Sequence, residues 1–429
     1  MTEMSPHKKP PVAKHLLSSL GPGFITGASD DDPSGIGTYA QTGAVFGYTQ
    51  LWMAVWTLPF MIAIQEMCGR IGLVTGKGLS GVIRRYYSKK LLFVAVTLLL
   101  IANTVNIGAD LGAMAAAAQL VTGIPFVALL IGMTALTLIM EIFISYKTYA
   151  KYLKYLAFSL LSYFLVAFVV TQDWPAVIRA TLIPHIEFTP LFLMNIVAML
   201  GTTISPYLFF WQADEEVEEE VMQKKLRAMG VGTPKIDGSD IRRMRIDTGI
   251  GMFFSNLVTF FIIMTTASTL HRNGIFTIQT PADAAEALRP IAGNFAFIIF
   301  SIGIIGTGLL AVPVLAGSAS YAVSEACRWR EGLYLKLERA HGFYGVITIA
   351  TLVGLLVNFT SVPAFTMLYY TAVLNGILAP PLLVIILLIG NNRTIMGEHV
   401  NGTRGNILGM VITVVMGITS VAVLVDLLR

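Results

Sequence analysis

The chain has 429 residues, of which 55% are hydrophobic and 13% charged, about half the charged share of ordinary globular proteins. That deficit excludes a water-exposed surface over most of the chain, and a formal net charge of +4 implies no nucleic-acid partner. Cys68 and Cys327 are far apart and read as free thiols near the cytoplasm, neither a disulfide nor a metal site. The opening stretch MTEMSPHKKPPVAKH is polar and basic and lacks the apolar segment of a cleavable signal peptide. Residues 1–16 are expected to form a cytoplasmic tail.

A membrane helix needs about 20 mainly apolar residues. Eleven stretches qualify, near 17–47, 49–69, 91–120, 125–146, 152–172, 190–212, 247–270, 291–326, 343–359, 362–390 and 405–428. The first and eighth are long for one crossing, which predicts tilt or interruption. With the N-terminus in the cytoplasm, all of the 29 Lys and Arg residues except Arg179, Arg272, Arg289 and Arg429 fall on the inner side. Positive charge is retained inside, so this orientation is expected, with the C-terminus outside.

Two spans carry breaks. The first contains SDDDPSG at 29–35. Proline removes a backbone donor and clashes with the preceding turn, and a carboxylate in mid-membrane costs about 2.5–3.5 kcal/mol on insertion scales. Such a helix opens its backbone only beside a cavity or inside protein. Packing alone does not require three aspartates there, although Asp30 or Asp31 could cap the second half-helix. The sixth span contains GTTISPY at 201–207, for which a simple proline kink is the alternative. Interrupted helices five spans apart fit an inverted repeat with a binding site near the bilayer midplane. Repeat one is expected at about 17–172, repeat two at about 190–390 and an extra helix at about 405–428, all within one transmembrane domain over 17–429.

GPGFITGASDDDPSG at the first span, QEMCGRIGLVTGKGL at 65–79, NIGADLGAMAAA at 106–117 and GTTISPYLFFWQ at 201–212 resemble helices of the natural resistance-associated macrophage protein (NRAMP) family. The resemblance covers about residues 15–390 and implies an all-α LeuT-type fold in the cell membrane, with a divalent metal ion as substrate and no resident cofactor. The departures are specific. The family's Asp-Pro-Gly-Asn is here Asp32-Pro33-Ser34-Gly35, and its Met-Pro-His is Ser205-Pro206-Tyr207. This pattern resembles the branch of NRAMP-related magnesium transporters.

Elementary coordination chemistry agrees. Thioethers are soft ligands, whereas carboxylate, carbonyl and water suit Mg2+, Ca2+ and Mn2+. Ser205 and Gly35 leave an oxygen-only and wider site, and Mg2+ keeps several waters. Asp32 is the expected direct ligand, with Gly35 and Thr202 acting through space or carbonyls and Ser205 through its hydroxyl or a bridging water. Mg2+ is the expected ion, with Mn2+ also carried.

Coupling to protons is not expected, because Tyr207 replaces the family's titratable histidine and tyrosine does not ionise near neutral pH. Asn103 and Ala113 also stand where carboxylates would be, leaving Asp110. Asp110 matches an acidic residue the family uses in proton movement; an interhelical hydrogen bond is the alternative. Glu66 and Glu141 are expected to pair with loop bases, and Tyr369, Tyr370, Thr371 and Asn375 to line a cavity. The run DEEVEEE at 214–220 reads as a water-exposed helix face with Glu220 near Lys224, and a cation-attracting vestibule is the other reading.

Two alternatives within the fold are a proton-coupled Mn2+/Fe2+ transporter and an amino-acid transporter. Three aspartates at the first break would repel an amino acid's carboxylate. A membrane enzyme lacks support, since the chain contains no His-Glu-x-x-His, Gly-x-Ser-x-Gly or Cys-x-x-Cys pattern. The expected partners are the metal ion and the lipid bilayer, with no obligate protein.

Overall fold

Proline and aspartate divide the first span where the sequence predicts. In the computed structural model, which describes residues 21–144 and 161–427, helix α1 (Pro22–Asp30) stops and α2 (Pro33–Phe46) starts after a gap of two residues. Asp31 and Asp32 adopt non-helical backbone angles between them. Pro33 occupies the first turn of α2, where a missing N–H costs nothing. The expected cap is corrected here: Asp32, not Asp30 or Asp31, caps α2, its Oδ1 accepting from the Gly35 N–H at 2.6 Å.

The remaining long helices are α3 (Leu58–Thr75), the short α4 (Leu79–Tyr86), α5 (Lys89–Thr122) and α6 (Phe126–Phe143), followed by α7 (Leu161–Val169). The second half contains α8 (Pro190–Thr203), α9 (Pro206–Met222), α10 (Gly238–Thr269), α11 (Ala296–Cys327), α12 (His341–Val357), α13 (Ala364–Gly390) and α14 (Thr403–Leu427). Among the described residues, eight helical stretches are long and apolar enough to cross a bilayer. The tail at 1–16 and parts of the expected spans 17–47, 125–146, 152–172 and 405–428 lie outside the described residues, as do Lys147, Lys151 and Lys154.

Three expectations need correction. The span expected at 247–270 begins nine residues earlier, because Asp237 and Asp240 form a reciprocal capping box at the start of α10. The tilt or interruption expected of the eighth span, 291–326, is not a break at its proline: the helix is broken near its start, at the turn Gly293–Phe295, and α11 then runs through Pro313 for 32 residues. The acidic run 214–220 is not a water-exposed face. It belongs to α9, and Asp214, Glu215, Glu216, Glu218 and Glu220 are buried. The base that bears on Glu220 is Lys225 rather than the expected Lys224, and Lys225 is itself ion-paired with Asp240.

Close packing comes from small residues, as in membrane bundles generally. On α1, a Cβ at Gly27 would stand 2.3 Å from the backbone carbonyl of Gly251 on α10, and one at Gly251 would stand 2.3 Å from the Gly23 carbonyl. On α8, a Cβ at Gly201 would meet the Ala372 carbonyl of α13 at 2.1 Å. These seams press both broken helices against unbroken partners. Overfilling a tight contact costs about 1–3 kcal/mol or more. Gly27→Val or Gly251→Val is therefore expected to lower the melting temperature of the detergent-solubilised protein. Gly249→Ala, on the same helix with nothing within 4 Å of its Cβ position, should leave it unchanged or raise it. Equal melting of all three would show that the seam does not bear on stability.

Candidate functional site

Both breaks expose backbone groups, and buried side chains close them. Asp32 sits between α1 and α2, is 2% exposed and uses one lone pair of each oxygen. Oδ1 takes the Gly35 N–H, and Oδ2 takes the Asn106 side-chain amide from α5 at 2.9 Å. A carboxylate has about four lone-pair sites, and the Ser34 N–H and Tyr207 hydroxyl also bear on this one, more weakly. Tyr207 donates its hydroxyl to the Ser29 carbonyl at 3.0 Å, one of the carbonyls left open at the end of α1.

The sixth-span break falls at Ile204 and Ser205, between α8 and α9. The Ser205 hydroxyl lies 2.8 Å from both the Gly201 and Thr202 carbonyls, so its proton closes the end of α8 while its lone pairs remain. Gly35 stands against α8: a Cβ there would lie 3.1 Å from Thr202 Oγ1, 3.1 Å from the Asp30 carbonyl and 3.3 Å from the Tyr39 ring. The four residues singled out in the sequence thus form one chain of neighbours, Asp32 to Gly35 to Thr202 to Ser205. All their polar atoms are oxygens or amides, with no sulfur and no imidazole. Among the described residues, no three His, Cys, Asp or Glu side chains converge on one ion position. An ion at Asp32 would therefore take its other ligands from carbonyls, hydroxyls and water.

The flanking residues divide by partner. Ser255 on α10 stands 2.6 Å from Asp30 Oδ2 and 3.3 Å from Asp31 Oδ1. Asp30 Oδ1 and Asp31 Oδ2 are buried without a hydrogen bond. Ser34 bonds to the Leu368 carbonyl and Thr371 hydroxyl of α13 at 3.0 and 3.1 Å. Asn103 donates to the Leu315 carbonyl and Ser318 hydroxyl of α11 and is structural. The Asp110 carboxyl is fully buried and feels the charge of Asp32 most strongly; the contact it makes with another helix is a weak one from the Ser34 N–H of α2, too long or bent to count as a full hydrogen bond. Glu66 pairs with Arg70 and Arg245 as expected, whereas Glu141 is buried with no hydrogen bond among the described residues. Tyr369 and Tyr370 do line a cavity. It holds about 220 Å3 and runs along the Gly37, Gln41 and Val45 face of α2, away from the break. Both cysteines are free, Cys68 buried and Cys327 exposed.

Two broken helices packed on unbroken ones are the arrangement of LeuT-type folds. Solved structures agree. The chain matches the Eremococcus coleocola manganese transporter with a TM-score of 0.75 at 17% identity, covering 98% of this chain and 89% of that one. It matches Mhp1, a nucleobase-cation-symport-1 family transporter, with a TM-score of 0.59 at 11% identity, covering 94% and 91%. The family described as "Natural resistance-associated macrophage protein-like" matches residues 23–426; the chain belongs to that family and is a multi-pass membrane protein. Its relatives include the divalent metal cation transporter MntH of Yersinia pestis (strain Pestoides F), 25% identical over 420 residues, 96% of this chain and 95% of that protein. MntH of Yersinia enterocolitica is 25% identical over 409 residues, 94% of each.

The cap and the charge of Asp32 are separable. Asparagine caps a helix as well as aspartate, whereas alanine loses about 0.5–2 kcal/mol. Asn106 can turn its amide to suit an asparagine at this position, since its own Oδ1 has no partner. Asp32→Asn should melt close to wild type and Asp32→Ala below it, while in both the stabilisation that added Mn2+ gives should be smaller than in the wild-type protein. Melting of Asp32→Ala at the wild-type temperature would remove the capping role.

Proposed function

We propose that the chain is a secondary transporter of hard divalent cations, with Mg2+ the principal substrate and Mn2+ also carried. It works by alternating access through a site at the two helix breaks. Asp32 is the direct ligand; Gly35, Thr202 and Ser205 supply room and oxygen. The observation that carries this reading is the buried Asp32 carboxylate, which accepts the Gly35 N–H and the Asn106 amide and stands at the head of the neighbours Gly35, Thr202 and Ser205, none of which carries sulfur or imidazole. Soft ions lose their preferred thioether or imidazole there, and Mg2+, which gives up water reluctantly, keeps part of its shell beside Gly35 and Ser205. The relatives named as divalent metal and manganese transporters support the ion class. The repeat organisation, about 17–172 and about 190–390 with an extra helix at about 405–428, is part of this proposal.

The direct test is uptake of Mg2+, Mn2+ and Cd2+ into proteoliposomes. Mg2+ and Mn2+ should enter, and Asp32→Asn should abolish both. Gly35→Asn combined with Ser205→Met should favour Cd2+ at the expense of Mg2+, with some repacking, since the new side chain meets Thr202 and Tyr39. Full Mg2+ uptake by Asp32→Asn, or an unchanged preference in the double variant, would refute this site.

Transport without proton exchange belongs to the same proposal. The Tyr207 hydroxyl is held by the Ser29 carbonyl, and no histidine stands at that position. An inside-negative potential supplies about 4.6 kcal/mol per 100 mV to a divalent cation, twice the single-charge value. Asp110 favours the second reading, a proton-coupled carrier, because it is buried and in electrostatic contact with Asp32, with only a weak contact from the Ser34 N–H. A pH dye inside the vesicles separates the two. No metal-dependent acidification is expected with the potential clamped; acidification that vanishes in Asp110→Asn would establish the coupled mechanism instead.

A further inference from the structure

The buried acidic run on α9 leads away from the Asp32 site. Asp214 lies eight residues beyond Pro206, about 12 Å along the helix, toward the cytoplasm in the orientation set by the Lys and Arg residues. It is fully buried, and neither carboxylate oxygen accepts a hydrogen bond. The charges acting on it most strongly are all carboxylates, from Glu325, Glu331, Glu215 and Glu218. Glu218 itself is engaged by the Tyr321 hydroxyl and the Leu333 N–H.

Glu325, near the end of α11, is aimed at the same place. Its two oxygens accept the N–H groups of Gly78 and Gly81 at 2.7 Å each, at the start of α4. Asp214 Oδ1 and Glu325 Oε2 face one another across Gly78: they stand 1.8 and 2.7 Å from the point a Cβ on that residue would occupy. Only glycine leaves room for both. Glu331, in the loop after α11, has a buried oxygen with no hydrogen bond, and Glu325 is the charge it feels most. Burial, with Glu325 beside it, pushes the Glu331 carboxyl well above the ordinary carboxylate range, while Arg84 opposes the rise. Lys77 and Arg84 act on Glu325, whereas the main charges on Asp214 are all negative.

A buried carboxylate among like charges is strongly unfavourable unless something positive joins it. Mg2+ is commonly held by one or two carboxylates and completed by water. We propose that Asp214 and Glu325 form a second cation site, between the helix breaks and the cytoplasm, which takes a partly hydrated Mg2+ or Mn2+ ion. Asp214 binds the ion directly, Glu325 supplies the facing oxygen, and Glu331 adds charge from the loop. Two carboxylates completed by water make an exchangeable site, suited to passing an ion on rather than storing it. The inference rests on the divalent-cation reading above and extends it from one site to two.

Equilibrium binding of Mn2+ to the purified full-length protein, followed by electron paramagnetic resonance, tests it together with Mg2+ uptake. Wild type should bind two ions per chain. Asp32→Asn should lose one and keep the other; Asp214→Asn should lose the other and slow uptake without abolishing binding at Asp32. Glu325→Gln is the second variant, expected to behave as Asp214→Asn does. Removing the Asp214 charge relieves repulsion, so in metal-free buffer Asp214→Asn should melt no lower than wild type. A single ion per chain, lost in Asp32→Asn, would overturn the second site while leaving the transporter reading intact. Two ions retained in both Asp214→Asn and Glu325→Gln would show that these carboxyls carry protons instead, which also overturns it. Absence of Mg2+ and Mn2+ uptake by wild-type protein would instead overturn the function proposed above.

Discussion

A helix broken inside a bilayer leaves amides and carbonyls that water cannot reach, and the rest of this structure depends on how that break is closed at Asp31–Asp32. One carboxylate does most of it. Asp32 takes the first free amide of α2 through Gly35 and anchors to α5 through Asn106. Tyr207, from the other broken helix, takes a carbonyl at the end of α1. Because the groups that close one break come from helices on all sides, the break is a meeting point of the bundle. The charge that caps the helix is also the charge a cation would meet.

That dual use explains the packing around it. A half-helix is too short to hold its place by its own hydrogen bonds, so it must lie flush against an unbroken neighbour. Gly23, Gly27 and Gly251 let α1 touch α10 backbone to backbone, and Gly201 does the same for α8 on α13. The glycines do more than lower bulk. They set the distance at which Ser255 reaches Asp30 and Asp31, and at which Thr202 stands against Gly35.

The acidic residues of the two halves follow one pattern. At Asp32 and at Glu325, a carboxylate is held by backbone N–H groups next to a glycine that leaves space in front of it. At Asp110 and at Asp214, a second buried carboxylate lies close by, Asp214 with no hydrogen bond and Asp110 with only a weak contact from the Ser34 N–H. A held acid paired with an open one places negative charge at two depths along α9, and a cation moving between them stays near compensating charge.

Much of this was legible in the chain itself because it is local. Apolar runs mark membrane helices, Asp-Pro and Ser-Pro mark the two breaks, and Lys and Arg mark one side, since each signal depends only on residues within a turn or two. The capping box Asp237–Asp240 was legible for the same reason, although the apolar pattern alone places the start of α10 nine residues late. The partners were not. Nothing in GMFFSN announces that Ser255 meets an aspartate 225 positions away, and Asn106 looks like any polar residue in a helix until Asp32 is beside it. The acidic run misled most: seven residues rich in Asp and Glu have the composition of a wetted helix, and only the packing of α9 against α11 and the 78–81 turn takes them out of water. Composition reports what a segment would cost to bury, whereas burial itself is decided by which distant helices arrive around it.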